Sequence, residues 1–122
     1  MTTLMPTQTE LINLSIIQEL MVGDPINYQK ILKELIISTI ANTEKMYINF
    51  YDKNWKGIKL AAHTLKSNAK YIGNEELISI LKKIEFESEV ERNYENTTVL
   101  VDRYKKLWTV LRAELSTLLQ SS

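Results

Sequence analysis

The chain has 122 residues and a formal net charge of zero, with 15 basic and 15 acidic side chains, one histidine and no cysteine. The missing cysteines exclude disulfides, thiolate zinc sites and thiol nucleophiles, and a single histidine excludes His-rich metal sites and argues against a zinc hydrolase. We expect no metal site in this chain. A neutral chain lacks the basic surplus of a nucleic-acid binder, so we expect no nucleic-acid partner. The length predicts a single domain over residues 1–122, with an ordered core at about 9–119.

The composition also points to helices and to a cytoplasmic location. Three glycines and two prolines are few for a β-protein and are too scattered for a phosphate-binding loop. The N-terminus lacks the basic and apolar regions of a signal peptide, and no apolar run approaches the length of a membrane span. We therefore expect a cytoplasmic protein whose domain makes no membrane contact.

Apolar residues recur every three or four positions in most of the chain, as they do in amphipathic helices. The first such segment covers about 9–22 and stops at Gly23-Asp24-Pro25, which is typical of a helix-ending glycine, an N-cap and a first-turn proline. The second covers about 25–51 and is followed by Asp52-Lys53-Asn54, a short connection with cap candidates.

The second half of the chain contains three more predicted helices. The third covers about 54–72, and Gly73-Asn74 ends it and caps the fourth, which we expect to fray around 87–91. Residues 93–98 are polar and predict a loop, and the last helix covers about 97–119. Because short connections force long helices to lie antiparallel, the fold class is all-α: an antiparallel up-down four-helix bundle with an additional short N-terminal helix.

The third helix places the single histidine on its outer side. With Ile58 set at zero and about 100° per residue, its apolar residues fall within about 40° of zero. His63 falls near 140°, away from this core side. Lys56, Lys59, Lys66 and Lys70 lie on the same outer side, and Ser67 lies one turn beyond the histidine.

The charges are segregated in a way that suits phosphoryl chemistry. Residues 53–73 contain five lysines and no acid, whereas residues 74–95 contain seven glutamates against three basic residues. Like-charge repulsion from lysines favours a neutral, nucleophilic imidazole, and the same lysines hold a captured phosphoryl group. The helix has no carboxylate or serine spaced for a hydrolytic triad, so phosphoryl acceptance is the chemistry that uses both residue types.

The segment Ala62-His63-Thr64-Leu65-Lys66-Ser67-Asn68-Ala69-Lys70-Tyr71-Ile72-Gly73 resembles the signature of histidine-containing phosphotransfer (HPt) domains. That signature is His, any residue, Leu, Lys, usually Gly, and a small and apolar stretch that ends in Gly. The resemblance extends to Asn54-Trp55 and Gly23-Asp24-Pro25 and covers about residues 11–119 in length and helix order. The sequence departs from the signature at Ser67, where the family usually has glycine.

The resemblance implies a phosphorelay intermediate with no kinase activity of its own. His63 would accept a phosphoryl group from a receiver-domain aspartate and pass it to another, with a hybrid sensor histidine kinase upstream. Lys66 would hold the phosphoryl oxygens, supported by Lys70 and Lys59, and the small Ser67 would leave room for the receiver. The chain would need no cofactor of its own, because the Mg²⁺ belongs to the receiver, and we expect a monomer.

Apolar residues near the histidine are candidates for docking the receiver. In the first helix Ile12 and Ile16 belong to one of two apolar stripes, of which a short covering helix needs only one. The alternative is that both stripes are buried. Leu60, Thr64 and Tyr71 flank His63 on the third helix and either dock the partner or pack against the first helix.

Two other functions stay open at this point. The chain could be a degenerate HPt-like module that docks a receiver without accepting phosphate. It could also be a plain helical interaction module in which His63 is incidental and the lysines form an ordinary solvated helix face.

Overall fold

The computed structural model describes residues 9, 11–21 and 23–121. These residues form α1 (Ser15–Leu20), α2 (Pro25–Tyr51), α3 (Trp55–Ile72), α4 (Glu75–Phe86), a π-helical turn (Glu87–Glu91) and α5 (Tyr94–Ser121). Helices α2 to α5 pack in chain order as a four-helix bundle that closes where α5 meets α2, and α1 packs on α2. The predicted all-α bundle with an additional short N-terminal helix is confirmed.

Polar caps define where the long helices begin. Asp24, Asn54 and Asn74 each accept a hydrogen bond from the backbone N–H three residues later, at 3.1, 3.2 and 2.8 Å. These bonds satisfy backbone donors that the first helical turn leaves unpaired. The predicted boundaries of α2, α3 and α4 are therefore correct at their N-termini, and Pro25 occupies the first helical position of α2.

The connection between α3 and α4 also anchors the start of the chain. Gly73 ends α3 in the left-handed conformation, with φ of 76°. Next to it the amide of Asn13 donates to the carbonyl of Ile72 at 3.0 Å. The side chain of Asn74 donates to the carbonyl of Leu11 at 2.9 Å. This turn thus joins two helices of the bundle to the segment before α1.

The first helix is shorter than predicted. The sequence predicts a helix over 9–22, but only Ser15–Leu20 is helical, and residues 10 and 22 lie outside the described part of the chain. The Thr9 hydroxyl accepts from the amides of Leu11 and Ile12 at 3.2 and 3.0 Å. A local turn held by a side chain competes with helix formation, and the bonds to the α3–α4 connection stabilise it here.

The last helix begins earlier than predicted. The sequence predicts a loop over 93–98, but α5 starts at Tyr94. Asn93 accepts from the amide of Asn96 at 2.9 Å and caps the helix. The ring of Tyr94 stacks on Phe50 of α2, with centroids 4.8 Å apart and planes 5° apart. This tertiary contact stabilises the first turn of α5 as a helix, although its polar sequence alone does not distinguish a helix from a loop.

The predicted fraying after the fourth helix is replaced by ordered structure. Residues Glu87–Glu91 form one π-helical turn that continues α4 and ends at Arg92, with φ of 51°. Ser88 is buried within it and donates to the carbonyl of Ile84 at 2.7 Å. The acidic run is therefore held against the bundle.

The core is made of the apolar stripes of all the helices and contains one notable polar contact. The α3 residues assigned to the core by helical phase are all buried: Ile58, Ala62, Leu65, Ala69 and Ile72. Thr43 of α2 and Tyr104 of α5 are also buried, and their hydroxyls are 2.6 Å apart. Burial raises the pKa of Tyr104 well above its usual value.

No helix in the described ranges is both long enough and apolar enough to cross a lipid bilayer.

The Gly73 turn predicts a large stability loss on substitution. A Cβ at Gly73 would clash with the backbone carbonyl of Asn13, in addition to the cost of the left-handed conformation. We expect Gly73→Ala to lower the free energy of unfolding by about 2–4 kcal/mol in urea titrations. Gly23 is the matched control, because its φ is 77° but a Cβ there meets nothing within 4 Å. Gly23→Ala should cost only about 1 kcal/mol; equal losses would contradict the clash.

Candidate functional site

His63 lies in the middle of α3 on its exposed side. Its side chain is 67% exposed, whereas Ala62 beside it and Leu65 two residues later are buried. The helical phase that placed the histidine away from the core is therefore correct. An exposed imidazole on a rigid helix is accessible to a large partner, which a buried core histidine is not.

A carboxylate from the neighbouring helix orients the imidazole ring. Glu85 of α4 places Oε2 2.8 Å from Nδ1 of His63 and Oε1 2.9 Å from Nζ of Lys66. An ionised carboxylate can only accept hydrogen bonds, so Nδ1 carries the proton. In the neutral ring the lone pair then belongs to Nε2. No described residue hydrogen-bonds to Nε2, which leaves this nitrogen available as a nucleophile.

Glu85 is ionised because of its two partners. Its side chain is only 19% exposed, and this burial alone would raise its pKa. The hydrogen bonds from Lys66 and His63, together with their charge, outweigh burial and lower the pKa of Glu85 below its usual value of 4.5. The carboxylate is therefore a fixed negative charge between a nucleophile and a cation.

Glu85 is the functional residue that sequence patterns on α3 do not reveal. Its signal lies in the antiparallel pairing of α3 and α4 across Gly73-Asn74. His63 comes ten residues before Gly73 and Glu85 eleven after Asn74, so the two lie at the same level of the bundle. The segregation of lysines on one helix and glutamates on the next indicates such pairs without identifying which glutamate reaches the histidine.

The lysines of the α3 stripe have different surroundings. Lys66 is mostly buried against Glu85, and Lys59 forms an ion pair with Glu89 of the π-helical turn at 2.9 Å. Lys70 is exposed and makes no ion pair with any described residue. Cations flank His63 as predicted, but two of them are held by carboxylates of the next helix rather than turned toward open solvent. Their roles toward a phosphoryl group stay predictions.

Ser67 is exposed one turn after His63. Its hydroxyl makes no hydrogen bond to the imidazole in the described structure, where Glu85 holds Nδ1. Ser67 therefore presents a small side chain beside the histidine, and its polar contribution is not needed to position the ring.

The docking prediction is wrong for Ile12. This side chain is only 1% exposed and belongs to the core, next to Leu14 and Ile17. The reason is that residues 11–14 are not helical, so Ile12 and Ile16 do not share a helical stripe. Ile16 itself is exposed on α1.

The three predicted docking residues on α3 are all at the surface. Leu60, Thr64 and Tyr71 are exposed, so none is used to pack the first helix into the core. Leu60 and Thr64 also line a recess of about 310 Å³ between α2 and α3, with Asn42 and Lys45 on its α2 side. The surface beside His63 therefore offers both apolar contacts and a recess.

The described residues contain no group of three His, Asp or Glu side chains that converge as ligands of a metal ion. The site consists of a nucleophile, a cation and a carboxylate.

The Glu85 contacts predict a specific pH dependence of stability. Since the folded-state pKa of Glu85 is lowered, its contribution is fully present above the unfolded-state pKa and is lost as pH falls through the folded value. We expect Glu85→Gln to lower the free energy of unfolding by about 1 kcal/mol at neutral pH and to match the wild type in strong acid. Urea titrations over a pH series measure this. Glu89→Gln, which removes the more exposed ion pair with Lys59, is the control and should change less. A constant difference at every pH would contradict the assignment.

The amino-acid sequence matches no protein-family model and no curated protein. The structure, by contrast, is similar to the crystal structure of histidine-containing phosphotransfer protein B from Pseudomonas aeruginosa PAO1. The TM-score is 0.80 at 14% sequence identity, over 94% of this chain and 99% of that chain. The chain therefore has the fold of a histidine-containing phosphotransfer protein.

Proposed function

We propose that this chain is a histidine phosphotransfer module of a two-component phosphorelay. His63 accepts a phosphoryl group from an aspartyl phosphate on a response-regulator receiver domain and relays it to an aspartate of another receiver. A hybrid sensor histidine kinase is the source of the phosphoryl group. The observation that carries the proposal is the exposed imidazole whose Nδ1 is held by Glu85 and whose Nε2 is free. The fold and the signature around His63 support it.

The transfer step needs no cofactor from this chain. The lone pair of Nε2 attacks the phosphorus of the aspartyl phosphate. An N–P bond forms while the P–O bond to the aspartate breaks, and the electron pair leaves with the carboxylate oxygen. For onward transfer, the carboxylate of the second receiver attacks phosphorus and the N–P electron pair returns to Nε2. The Mg²⁺ expected for this chemistry would be bound by the receiver. Because the phosphoryl group comes from a receiver aspartate and not from a nucleotide, the proposed role of the chain is that of an intermediate and not of a kinase.

Glu85 assists by orienting the ring and by stabilising its charge. Attack through Nε2 makes the imidazole ring positive, and the carboxylate 2.8 Å from Nδ1 stabilises that charge. Because the hydrogen bond also fixes the ring orientation, Nε2 is directed away from α4 toward the incoming phosphoryl group.

Lys66 stabilises the phosphoryl group after transfer. Its ammonium lies one turn from His63 and is bound to Glu85 at 2.9 Å, with two further donors available. A phosphoryl group on Nε2 brings additional negative charge. Lys66 would then interact with both the phosphoryl group and Glu85. Lys70 and Lys59 add longer-range attraction, and Ser67 keeps the approach to the histidine open.

The receiver docks on the surface formed by α1, α2 and α3 beside His63. Ile16 of α1 and Leu60, Thr64 and Tyr71 of α3 supply its exposed apolar and small side chains. The recess next to Leu60 and Thr64 receives a protruding side chain of the partner. Ile12 takes no part, because it is buried.

Labelling with a phosphoryl donor tests the proposal directly. We expect the wild-type chain to acquire a base-stable, acid-labile phosphoryl group from a radiolabelled, phosphorylated receiver domain or from phosphoramidate. We expect His63→Gln to acquire none. Ser67→Ala, which changes the neighbouring surface but leaves the histidine intact, should still be labelled on His63. Peptide mapping under alkaline conditions then locates the label.

The outcomes separate the three functions. Label that persists in His63→Gln rejects the proposed acceptor. A wild-type chain that binds receiver domains without becoming labelled is a docking-only module. A wild-type chain that neither binds nor is labelled by any of a panel of receivers is a plain helical interaction module.

The Lys66 geometry predicts a difference between rate and affinity. We expect Lys66→Ala to slow phosphoryl transfer by about tenfold or more, because a charge that stabilises the transferred group is lost. Docking affinity should change by less than about threefold, since the side chain is mostly turned toward Glu85. Rapid-quench transfer assays and calorimetric binding to the unphosphorylated receiver give the two numbers. Lys56→Ala, on the same helix but seven residues before His63, is the control; equal transfer rates for the wild type and Lys66→Ala would contradict the role.

A further inference from the structure

The face shared by α4 and α5 carries an apolar groove that the phosphotransfer site does not use. The groove has a volume of about 450 Å³. Phe86 and Val99, which line the groove, are 52% and 60% exposed. The lining consists of seven residues from α4, the π-helical turn and α5: Lys82, Lys83, Phe86, Glu87, Asn96, Val99 and Leu100. Large apolar side chains grouped in this way mark an interaction surface.

The charges on this face are sorted along the groove. Lys82 and Lys83 lie on α4 at one end, and neither forms an ion pair with any described residue. Arg103 of α5 lies at the same end, where it approaches Glu76 of α4 at 4.0 Å. The groove therefore has a basic end.

The other end of the groove is acidic. Glu87 lines the groove there, and the exposed Glu91 and Glu95 flank the connection from the π-helical turn to α5. Arg92 lies between them but is outnumbered. Between Lys82 and Glu91, beyond the acidic first turn of α4, the face thus runs from basic through apolar to acidic.

We infer that the α4–α5 face binds the same face of a second copy of this chain. A two-fold axis through the apolar centre would place Phe86 and Val99 of one copy against those of the other. The same operation brings Lys82 and Lys83 opposite Glu91 and Glu95 of the second copy. A surface that is basic at one end and acidic at the other is complementary to itself in this arrangement, as a closed dimer requires.

The dimer leaves the phosphotransfer site accessible. The groove lining contains no residue of α3 and does not include Glu85. His63 in each copy therefore stays exposed. The inference does not depend on the proposed function, and it is an alternative to the monomer expected from the sequence.

Charge-swapped variants of the full chain test the inference by sedimentation equilibrium over a concentration series. We expect the wild type to dimerise with a dissociation constant in roughly the micromolar range. Lys82→Glu/Lys83→Glu and Glu91→Lys/Glu95→Lys should each raise this constant at least about tenfold, because like charges then meet. An equimolar mixture of the two variants should restore dimers, since every pair across the axis is again attractive.

Further variants make the result specific to this face. Phe86→Ser should weaken dimers as strongly as either charge variant. Ile37→Ser, an exposed apolar residue of α2 outside the groove, should have no effect. Circular dichroism melting checks that every variant folds. A wild type that stays monomeric throughout, a wild-type dimer unchanged by Phe86→Ser, or charge variants that fail to associate when mixed would each overturn the inference.

Discussion

The tight connection at Gly73-Asn74 is the constraint on which the rest of the structure depends. Gly73 reverses the chain in a conformation that side chains resist, and Asn74 immediately begins the next helix. Only Gly73 and Asn74 separate the two helices, so α3 cannot slide along α4 and the residues that face each other are fixed. The contact between His63 and Glu85 is a result of that register. The same connection binds the segment before α1 through Asn13 and Leu11. One turn therefore orders both the site and this N-terminal segment.

The site is balanced around one carboxylate with two partners. Without Glu85, Lys66 would be a partly buried cation near a ring that can itself become positive. With Glu85 present, the unphosphorylated site is neutral in sum when the imidazole is neutral. Under the proposed function, a phosphoryl group would enter a site whose cation is already in place and already paired with the carboxylate. If the proposed function holds, this arrangement would favour reversible capture over tight retention, because the phosphoryl group would have to share Lys66 with Glu85.

The sequence correctly predicts the features that depend on interactions between residues close together in the chain. The cap residues Asp24 and Asn74, the left-handed Gly73 and the outward phase of His63 follow from local rules, and the structure agrees with each. The errors arise where a distant contact decides. Ile12 enters the core because bonds to the α3–α4 connection keep its segment from becoming helical, and α5 begins early because Tyr94 stacks on Phe50. The sequence does not identify Glu85, because its partner His63 lies on another helix. Which residues pair across two helices depends on the register between those helices, and the periodicity of a single helix gives no information about that register.

The buried contact between Thr43 and Tyr104 has a mechanical consequence. Sliding α5 along α2 by one turn would separate the two hydroxyls and leave both in the core without a partner, at a cost of about 1–3 kcal/mol each. Apolar stripes alone tolerate such a slip, because one leucine or isoleucine can replace another in a similar hole. The hydrogen bond between these hydroxyls therefore disfavours sliding of α5 along α2, the two longest helices. A bundle that resists shear keeps one fixed surface, so any protein that docks on it would be selected by its own shape.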